Sequence, residues 1–336
     1  MLVEFPKAHQ QASPARSMPT LLITGGAGFI GGHTATMAME RGWQVRLLDN
    51  LSTGLATKAD KLASEGAEVI IGDVRDEAIV QAAVEGCDAV VHLAAQVSVP
   101  RSVEHPEETL AINVGGTANL LNACKMHRVS RFVMASSAAV YGTNDAFPLD
   151  ETHAGTFHSP YAESKWTNEH QVAEAKASGL EAVTLRFFNV YGTGQRSDGA
   201  YAAVIPKFIE LAVAGQAPTV FGDGQQTRDF VHVDDVSRAL LMLATEPWAN
   251  DLEHVYNVCT QTEISLLDLL DGIHSVLADV APEVSRPSPI HAPERAGDIG
   301  RSVGSNARLV NDTAWSPNVE FTEGLRQQVL DTLRDA

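Results

Sequence analysis

Short runs of unbroken apolar residues recur through the first half of the chain and constrain its fold more than any other feature. LLIT at 21–24, VRLLD at 45–49, EVIIGD at 68–73, DAVVHLA at 88–94, RFVMAS at 131–136 and AVTLRFFN at 182–189 read as strands. Their apolar character is continuous rather than alternating, which a strand needs when both faces of its sheet are covered. Helix-like segments separate them, near 30–41, 76–85, 104–127 and 160–179. This alternation predicts an α/β fold with a doubly wound parallel sheet. Beyond Asn189 the pattern loosens. A loop (YGTGQRSDG), a helix over 201–214, two short strands around a turn in PTVFGDGQQTRDFVHV and a helix over 234–246 follow. A Pro-rich stretch, APEVSRPSPIHAPERAGD, precedes a final helix near 322–334. These segments predict a smaller, loop-rich C-terminal lobe, with part of the chain returning to the sheet.

The first strand runs directly into TGGAGFIG at 24–31, which opens the first helix. Gly25, Gly28 and Gly31 give the spacing G-x-x-G-x-x-G, and Gly26 also gives G-x-G-x-x-G. Glycines here allow a tight turn, close approach of a pyrophosphate to the backbone, and packing of helix on strand. The helix N-terminus then offers free N–H groups to the anion. A glycine string alone serves a structural turn equally well; its surroundings decide. Asp49 ends the second strand, where a carboxylate accepts from a ribose 2′-hydroxyl and repels a 2′-phosphate, favouring NAD over NADP. Asp73 and Val74 follow the third strand, and Leu93, Ala94 and Ala95 the fourth, at the strand ends where a doubly wound (Rossmann) sheet binds its ligand.

A second group follows the fifth strand. Ser136 and Ser137 precede SPYAESK, in which Tyr161 and Lys165 stand four residues apart and so share a helix face. Ser-Pro at 159–160 is a helix-start signal that places Tyr161 in the first turn. An ammonium and a helix N-terminus beside a phenol favour the phenolate, so the pattern predicts a lowered Tyr161 pKa and an acid/base role. As an isolated pattern, Tyr-x-x-x-Lys also describes a solvated surface pair.

With TGGAGFIG, DNLSTG (49–54), GDVRD (72–76), HLAAQVSVPRS (92–102), NVGGT (113–117), SSAAVYG (136–142), SPYAESK, RFFNVYG (186–192) and RDFVHVDDV (228–236) in this order, the chain resembles the extended short-chain dehydrogenases/reductases. It is most similar to their UDP-glucose 4-epimerase group, UDP-N-acetylglucosamine 4-epimerases included. The resemblance runs from about Pro19 to Arg326. It implies a tightly bound NAD and catalysis by Ser137, Tyr161 and Lys165. It also implies cofactor contacts from Phe29, Ile30, Asn50, Ser52, Gln96, Asn113, Ser136, Lys165 and Phe188, beside those named above. Related dehydratases carry Asp-Glu, and decarboxylases often Glu, two or three residues beyond the catalytic hydroxyl. This chain has Ala138, Ala139 and Val140 there. The implied cycle is redox-neutral: Tyr161 takes the sugar 4-hydroxyl proton while hydride passes from carbon 4 to NAD, and the 4-keto sugar turns over before reduction on its other face.

For the nucleotide sugar the resemblance implies Asn189, Arg228, Arg295 and Asp298 around the UDP moiety, with Val204, Val220 and Phe221 flanking uracil and Ser98 near the sugar. Two arginines can fork onto diphosphate oxygens. PERAGD departs from the usual Arg-Pro-Gly-Asp through Ala296, and Ala203 stands where some members carry Asn. Ser302 matches the position where glucose- and galactose-restricted enzymes carry Tyr beside the carbon-2 substituent, so room for an acetamido group is expected. The competing expectations are a UDP-glucuronate 4-epimerase, a decarboxylase, a 4,6-dehydratase, or a non-catalytic NAD-binding regulator.

The chain has 24 Lys and Arg against 42 Asp and Glu, a net charge of −18, which argues against nucleic-acid or anionic-membrane partners. Dianionic ligands must then be held locally. Three scattered cysteines (Cys87, Cys124, Cys259) lack metal spacing, as do the histidines, so no metal is expected. Cys87 and Cys124 read as core, His232 and Trp315 as packing groups, and His33 as helix surface. No run of 18 apolar residues and no signal-like start appear, so a cytoplasmic chain is expected. The expected organisation is a flexible lead over 1–18, an NAD-binding domain over 19–189 with 231–258 returning to it, and a nucleotide-sugar lobe over 190–230 and 259–336. A homodimer through helices 104–127 and 160–179 is expected from the resemblance.

Overall fold

The structure, a computed structural model, describes residues 18–197, 203–294 and 299–335. Strands β1 (Thr20–Thr24), β2 (Gln44–Asp49), β3 (Glu68–Ile71), β4 (Ala89–His92), β5 (Arg131–Ser137) and β6 (Glu181–Phe187) are those read from the sequence. β7 (Asn189–Tyr191), β8 (Thr219–Phe221), β9 (Thr227–Arg228) and β10 (Phe230–His232) follow. They are succeeded by β11 (Val255–Val258), β12 (Ile264–Ser265) and β13 (Ile290–Ala292). The first helices are α1 (Phe29–Glu40), α2 (Ala56–Ser64), α3 (Glu77–Val84), α4 (Val99–Glu104), α5 (Pro106–Leu110), α6 (Gly116–His127) and α7 (Pro160–Ala177). The rest are α8 (Val204–Val213), α9 (Val233–Thr245), α10 (Leu266–Val280), α11 (Ala307–Asp312) and α12 (Phe321–Asp335).

Seven parallel strands form the central sheet in the order β11-β6-β5-β4-β1-β2-β3. The chain builds outward from β1 to β3, then returns to the other side of β1 with β4. The crevice at the carboxyl ends of β1 and β4 is therefore the topological switch point at which such sheets bind ligands. Alternate strand residues face opposite layers. Leu21, Ile23, Leu47, Val91 and Val133 join one core, over which α1 and α9 pack; Leu22, Leu48, Val90, Phe132 and Met134 join the other, under α3, α6 and α7. A fully buried side chain of this size contributes about 1.5–3 kcal/mol, so both faces must be covered. A third core, built from α8, α10 and α12 around Ile205, Ile209, Leu269, Ile273 and Leu325, makes the smaller lobe.

The structure departs from the sequence reading in four places. The segment expected as one helix over 104–127 is divided: α4 and α5 meet at Pro106, and a π-turn over Ala111–Gly115 precedes α6. Proline has no N–H to continue the first helix, so α5 starts afresh on it. The run 182–189 ends at Phe187, and Asn189 begins β7, which pairs with β10. Helices α2 and α10 lie in stretches to which the sequence reading assigned no element; Ser265 caps α10 in a reciprocal capping box with Asp268. His33 is no surface group: its ring nitrogens lie 3.2 Å from Asp234 Oδ1 and 2.9 Å from the Thr193 carbonyl, joining α1 to α9. Cys87, Cys124 and Trp315 are buried, and Trp315 donates to the Asp235 carbonyl. Among the described residues no helix is long and apolar enough to cross a membrane.

Candidate active site

The turn after β1 is built from backbone that tolerates no side chains. Gly25 has φ +70 and donates to the Leu48 carbonyl at 2.8 Å; a Cβ on it would lie 2.8 Å from the Ala94 nitrogen. A Cβ on Gly31 would lie 2.2 Å from the Gly25 carbonyl oxygen. Gly28 is the N-cap of α1, and no side chain caps that helix. The first-turn N–H groups, at Phe29 and Ile30, therefore face a cradle that a Cβ would fill, which suits a pyrophosphate. Asp49 is 8 % exposed, and its two oxygens accept from Ala27 N (2.9 Å) and Leu51 N (2.8 Å). That fixes the carboxylate while leaving lone pairs for ribose hydroxyls. These residues fit a dinucleotide.

Around the cradle, the exposed Asn50 donates to Asp73 at 2.9 Å and takes the Ser52 N–H. Asp73 is held well below the usual carboxylate range by the Arg75 guanidinium. Leu93, Ala94, Ala95 and Gln96 extend β4 into the crevice, partly buried, with Leu93 N donating to the Thr24 carbonyl. Asn113 sits in the π-turn with its carboxamide engaged by both backbone groups of Gln96 and by Ser164, so it ties the β4 loop to α7. Val74 is buried against Gly116 with its carbonyl taken by Asn119, and Phe188 is buried beneath Gly304 and beside the Tyr141 ring. The side chains of both are packed into the core beside the crevice.

The second group converges as the spacing requires. Ser159 caps α7 through Ala162 N at 3.2 Å, with Pro160 at the first helical position, so Tyr161 lies in the first turn. Ser137, at the end of β5, accepts from Ala139 N at 3.2 Å and stands near enough to the Tyr161 phenol to favour its ionised form. Lys165 Nζ donates to the Ala135 carbonyl at 2.9 Å. The expected lowering of the Tyr161 pKa is corrected: burial raises it, outweighing the opposing effect of the Ser137 hydroxyl. Burial likewise lowers Lys165 to about 8, opposed by the Glu169 charge. Both groups are displaced because the charged form of each loses hydration when the surrounding protein closes over it.

Ser136 is held by the protein itself. Its hydroxyl donates to Glu169 Oε1 at 2.6 Å, and Arg186 forks onto the same carboxylate at 2.9 and 2.7 Å. Both members of that pair are at most 3 % exposed. Arg186 further donates to Tyr141 and to the Glu151 carbonyl, and Tyr141 to Asn257 on β11. Sequence reasoning missed this network. Its one local signal was Glu169, which continues the 161–165 spacing by another turn.

Across the crevice, Asn189 is exposed at the start of β7, and Arg228 donates to the Thr227 (2.8 Å) and Ile299 (2.6 Å) carbonyls. Asp229, beside it, is wholly buried and accepts from Thr260, Gln261 and Gly304. Ser302 is partly buried, its N–H donating to the Thr227 carbonyl at 3.2 Å. Ser98 caps α4 through Arg101 N at 3.2 Å, and Val204 is the first residue of α8. Phe221 lines a cavity of about 300 Å³ with Gln226, Glu294 and Ile299. Val220 faces the other way, fully buried in the small lobe's core, because neighbouring strand residues point to opposite faces. Arg295 and Asp298 lie outside the described residues. Among the described residues no three His, Cys, Asp or Glu side chains are grouped to hold a metal.

Known proteins place this geometry. Residues 21–259 match the NAD dependent epimerase/dehydratase family. A putative UDP-glucose 4-epimerase of Methanocaldococcus jannaschii is 35% identical over 312 residues, 92% of this chain and 97% of that protein. A UDP-N-acetylglucosamine 4-epimerase from Methanobrevibacter ruminantium, solved with UDP-N-acetylmuramic acid, superposes with a TM-score of 0.86 at 32% identity, covering 95% and 99% of the two chains. The Thermus thermophilus UDP-glucose 4-epimerase complexed with NAD gives 0.81 at 35% identity, covering 94% and 99%. The cradle, the fixed Asp49 and these likenesses agree on the cofactor, and the chain belongs to the NAD dependent epimerase/dehydratase family of extended short-chain dehydrogenases/reductases.

Proposed function

We propose that the chain is a UDP-hexose 4-epimerase acting through a 4-keto sugar. The observation that carries this reading is the Ser137–Tyr161–Lys165 group followed by a 3-10 turn, Ala138–Tyr141, that presents no acid. Dehydration and decarboxylation each need a further acid or base beside the sugar, and this turn supplies none.

Tyr161 and Ser137 share the proton of the sugar 4-hydroxyl, with the phenol as base in one direction and acid in the other. Lys165 holds a positive charge beside them and favours the phenolate. The chemistry NAD supplies when bound is reversible hydride acceptance from carbon 4. Arg228 and Asn189 hold the UDP moiety, with Arg295 and Asp298 proposed on the same grounds of resemblance. The lobe boundaries given above are proposed as the division between cofactor and sugar-nucleotide binding. A homodimer is proposed through 104–127 and 160–179, where Leu110 and Met126 stand exposed, with exposed Val103 immediately before the first segment.

Incubation with UDP-glucose, UDP-N-acetylglucosamine and UDP-glucuronate, with products identified by NMR, tests the reaction. A 4-epimer is expected. A 4-keto-6-deoxy sugar or a pentose would replace this reading with dehydratase or decarboxylase activity. We propose further that Ser302 admits an acetamido group at carbon 2. Ser302→Tyr should suppress turnover of UDP-N-acetylglucosamine at least tenfold relative to UDP-glucose; equal loss on both would refute it.

A further inference from the structure

Three ionic side chains lie buried in one row behind the reacting hydroxyls. Lys165 is 5 % exposed, and Glu169 and Arg186 no more than 3 %. Tyr161, Lys165 and Glu169 follow at intervals of four on α7, so their side chains line one helix face. Lys165 makes one hydrogen bond, to the Ala135 carbonyl, and forms no direct ion pair among the described residues. Glu169 is immobilised by three donors, Ser136 and the two arms of the Arg186 fork, and Arg186 in turn by Tyr141 and the Glu151 carbonyl. Such a pair costs desolvation and is weak grounds for stability. What it does here is fix a negative charge one turn from a lysine that would otherwise be alone.

We propose that Glu169, clamped by Arg186 and Ser136, is a positioning residue: it supplies the counter-charge that holds buried Lys165 as an ammonium beside Tyr161. The proposal rests on the reading of Lys165 and Tyr161 as the reacting group. The other groups facing this row are His92 on β4, kept neutral by burial and by Lys165, and Tyr141 after β5. Glu151 reaches the network from the loop before α7, and His254, just before β11, feels Glu169 and Arg186. None of them sets a negative charge against Lys165; Glu169 alone opposes the effect of burial on it.

The test is the titration of Lys165 followed by 13Cε NMR in the full-length chain with NAD, assigned with Lys165→Met. In Glu169→Gln the lysine is left facing Arg186 alone, and its midpoint should fall by about 2 pH units, the effect of a unit charge one helical turn away, roughly 6 Å, at an effective dielectric near 20. In Glu169→Gln/Arg186→Met the repelling guanidinium is also gone, so the midpoint should recover part of that fall. A purely structural role would make the double variant no better than the single. An unchanged midpoint in Glu169→Gln, or a double variant titrating below the single, would overturn the proposal. The double variant leaves no unpaired buried charge in the pair; if it alone folds, its midpoint must lie below that of the native chain, and equality overturns the idea. The measurement uses no sugar nucleotide, so a chain that fails to epimerise any UDP-hexose while Lys165 titrates as described refutes the activity and not the counter-charge. Where turnover is present, the alkaline limb of kcat should move with the NMR midpoint.

Discussion

Gly31→Ala is the sharpest perturbation of the cofactor cradle, because its consequence can be worked from backbone geometry alone. The added methyl would sit 2.2 Å from the Gly25 carbonyl oxygen, 2.8 Å from Gly26 Cα and 2.9 Å from the Gly25 carbonyl carbon. All three are backbone atoms, so no side chain can swing aside. Gly25 cannot retreat, being bonded to the Leu48 carbonyl and pressed against Ala94. Helix α1 must therefore move away by about 1 Å to restore ordinary contact distances. That displacement takes its first-turn N–H groups off the pyrophosphate. Losing two charge-assisted hydrogen bonds at about 1.5–3 kcal/mol each would weaken NAD by about 10²–10⁴-fold. The overpacking should also cost about 1–3 kcal/mol of stability. The assay is NAD titration of the nucleotide-stripped chain alongside a thermal melt. Gly115→Ala is the control, since a Cβ there meets nothing within 4 Å. An affinity within threefold of the native chain, with an unchanged melt, would refute the argument that this loop binds through close backbone approach.

Further expectations concern the reacting group, a buried carboxyl and the assembly. Tyr161→Phe should lower turnover by about 10²–10⁴-fold, the usual worth of a positioned acid/base, while NAD remains bound; turnover near the native rate would remove Tyr161 from the chemistry. Burial raises Asp229 to about 6 despite its four hydrogen bonds, so the folded chain keeps a proton that the unfolded chain has released from about pH 4. The stability this carboxyl contributes is thus present below pH 4 and lost as pH rises through about 6, an upper bound of roughly 3 kcal/mol. The stability difference between the native chain and Asp229→Asn should decline across that window, and a flat difference in chemical denaturation would contradict it. Val103→Glu, on an exposed position of α4, should convert the proposed dimer to monomer in light scattering; a native chain already monomeric at micromolar concentration would dismiss that surface as the interface.

Much of the site was legible because its determinants are local. The glycine spacing, the carboxylate ending β2 and the four-residue step from Tyr161 to Lys165 each arise within a few residues of sequence, and each recurs in the structure as a turn, a strand end or a helix face. The charge of Tyr161 was not legible in this way. Spacing identified the ammonium beside the phenol, but burial, a property of the whole site, reversed the direction of the shift.

The sequence by itself determined the alternation of covered strands and helices, hence the doubly wound sheet, and the position of the cofactor turn within it. Only the tertiary structure decided what depends on partners distant in the chain. It placed β11 beside β6, divided the segment after β4 at Pro106 and the π-turn, and sent Val220 into the core while Phe221 lines the cavity. It also joined Glu169 to Arg186, and Asp229 to Gly304. Periodicity and turn chemistry are written in neighbouring residues, whereas burial and charge pairing are fixed only when separate elements close over one another.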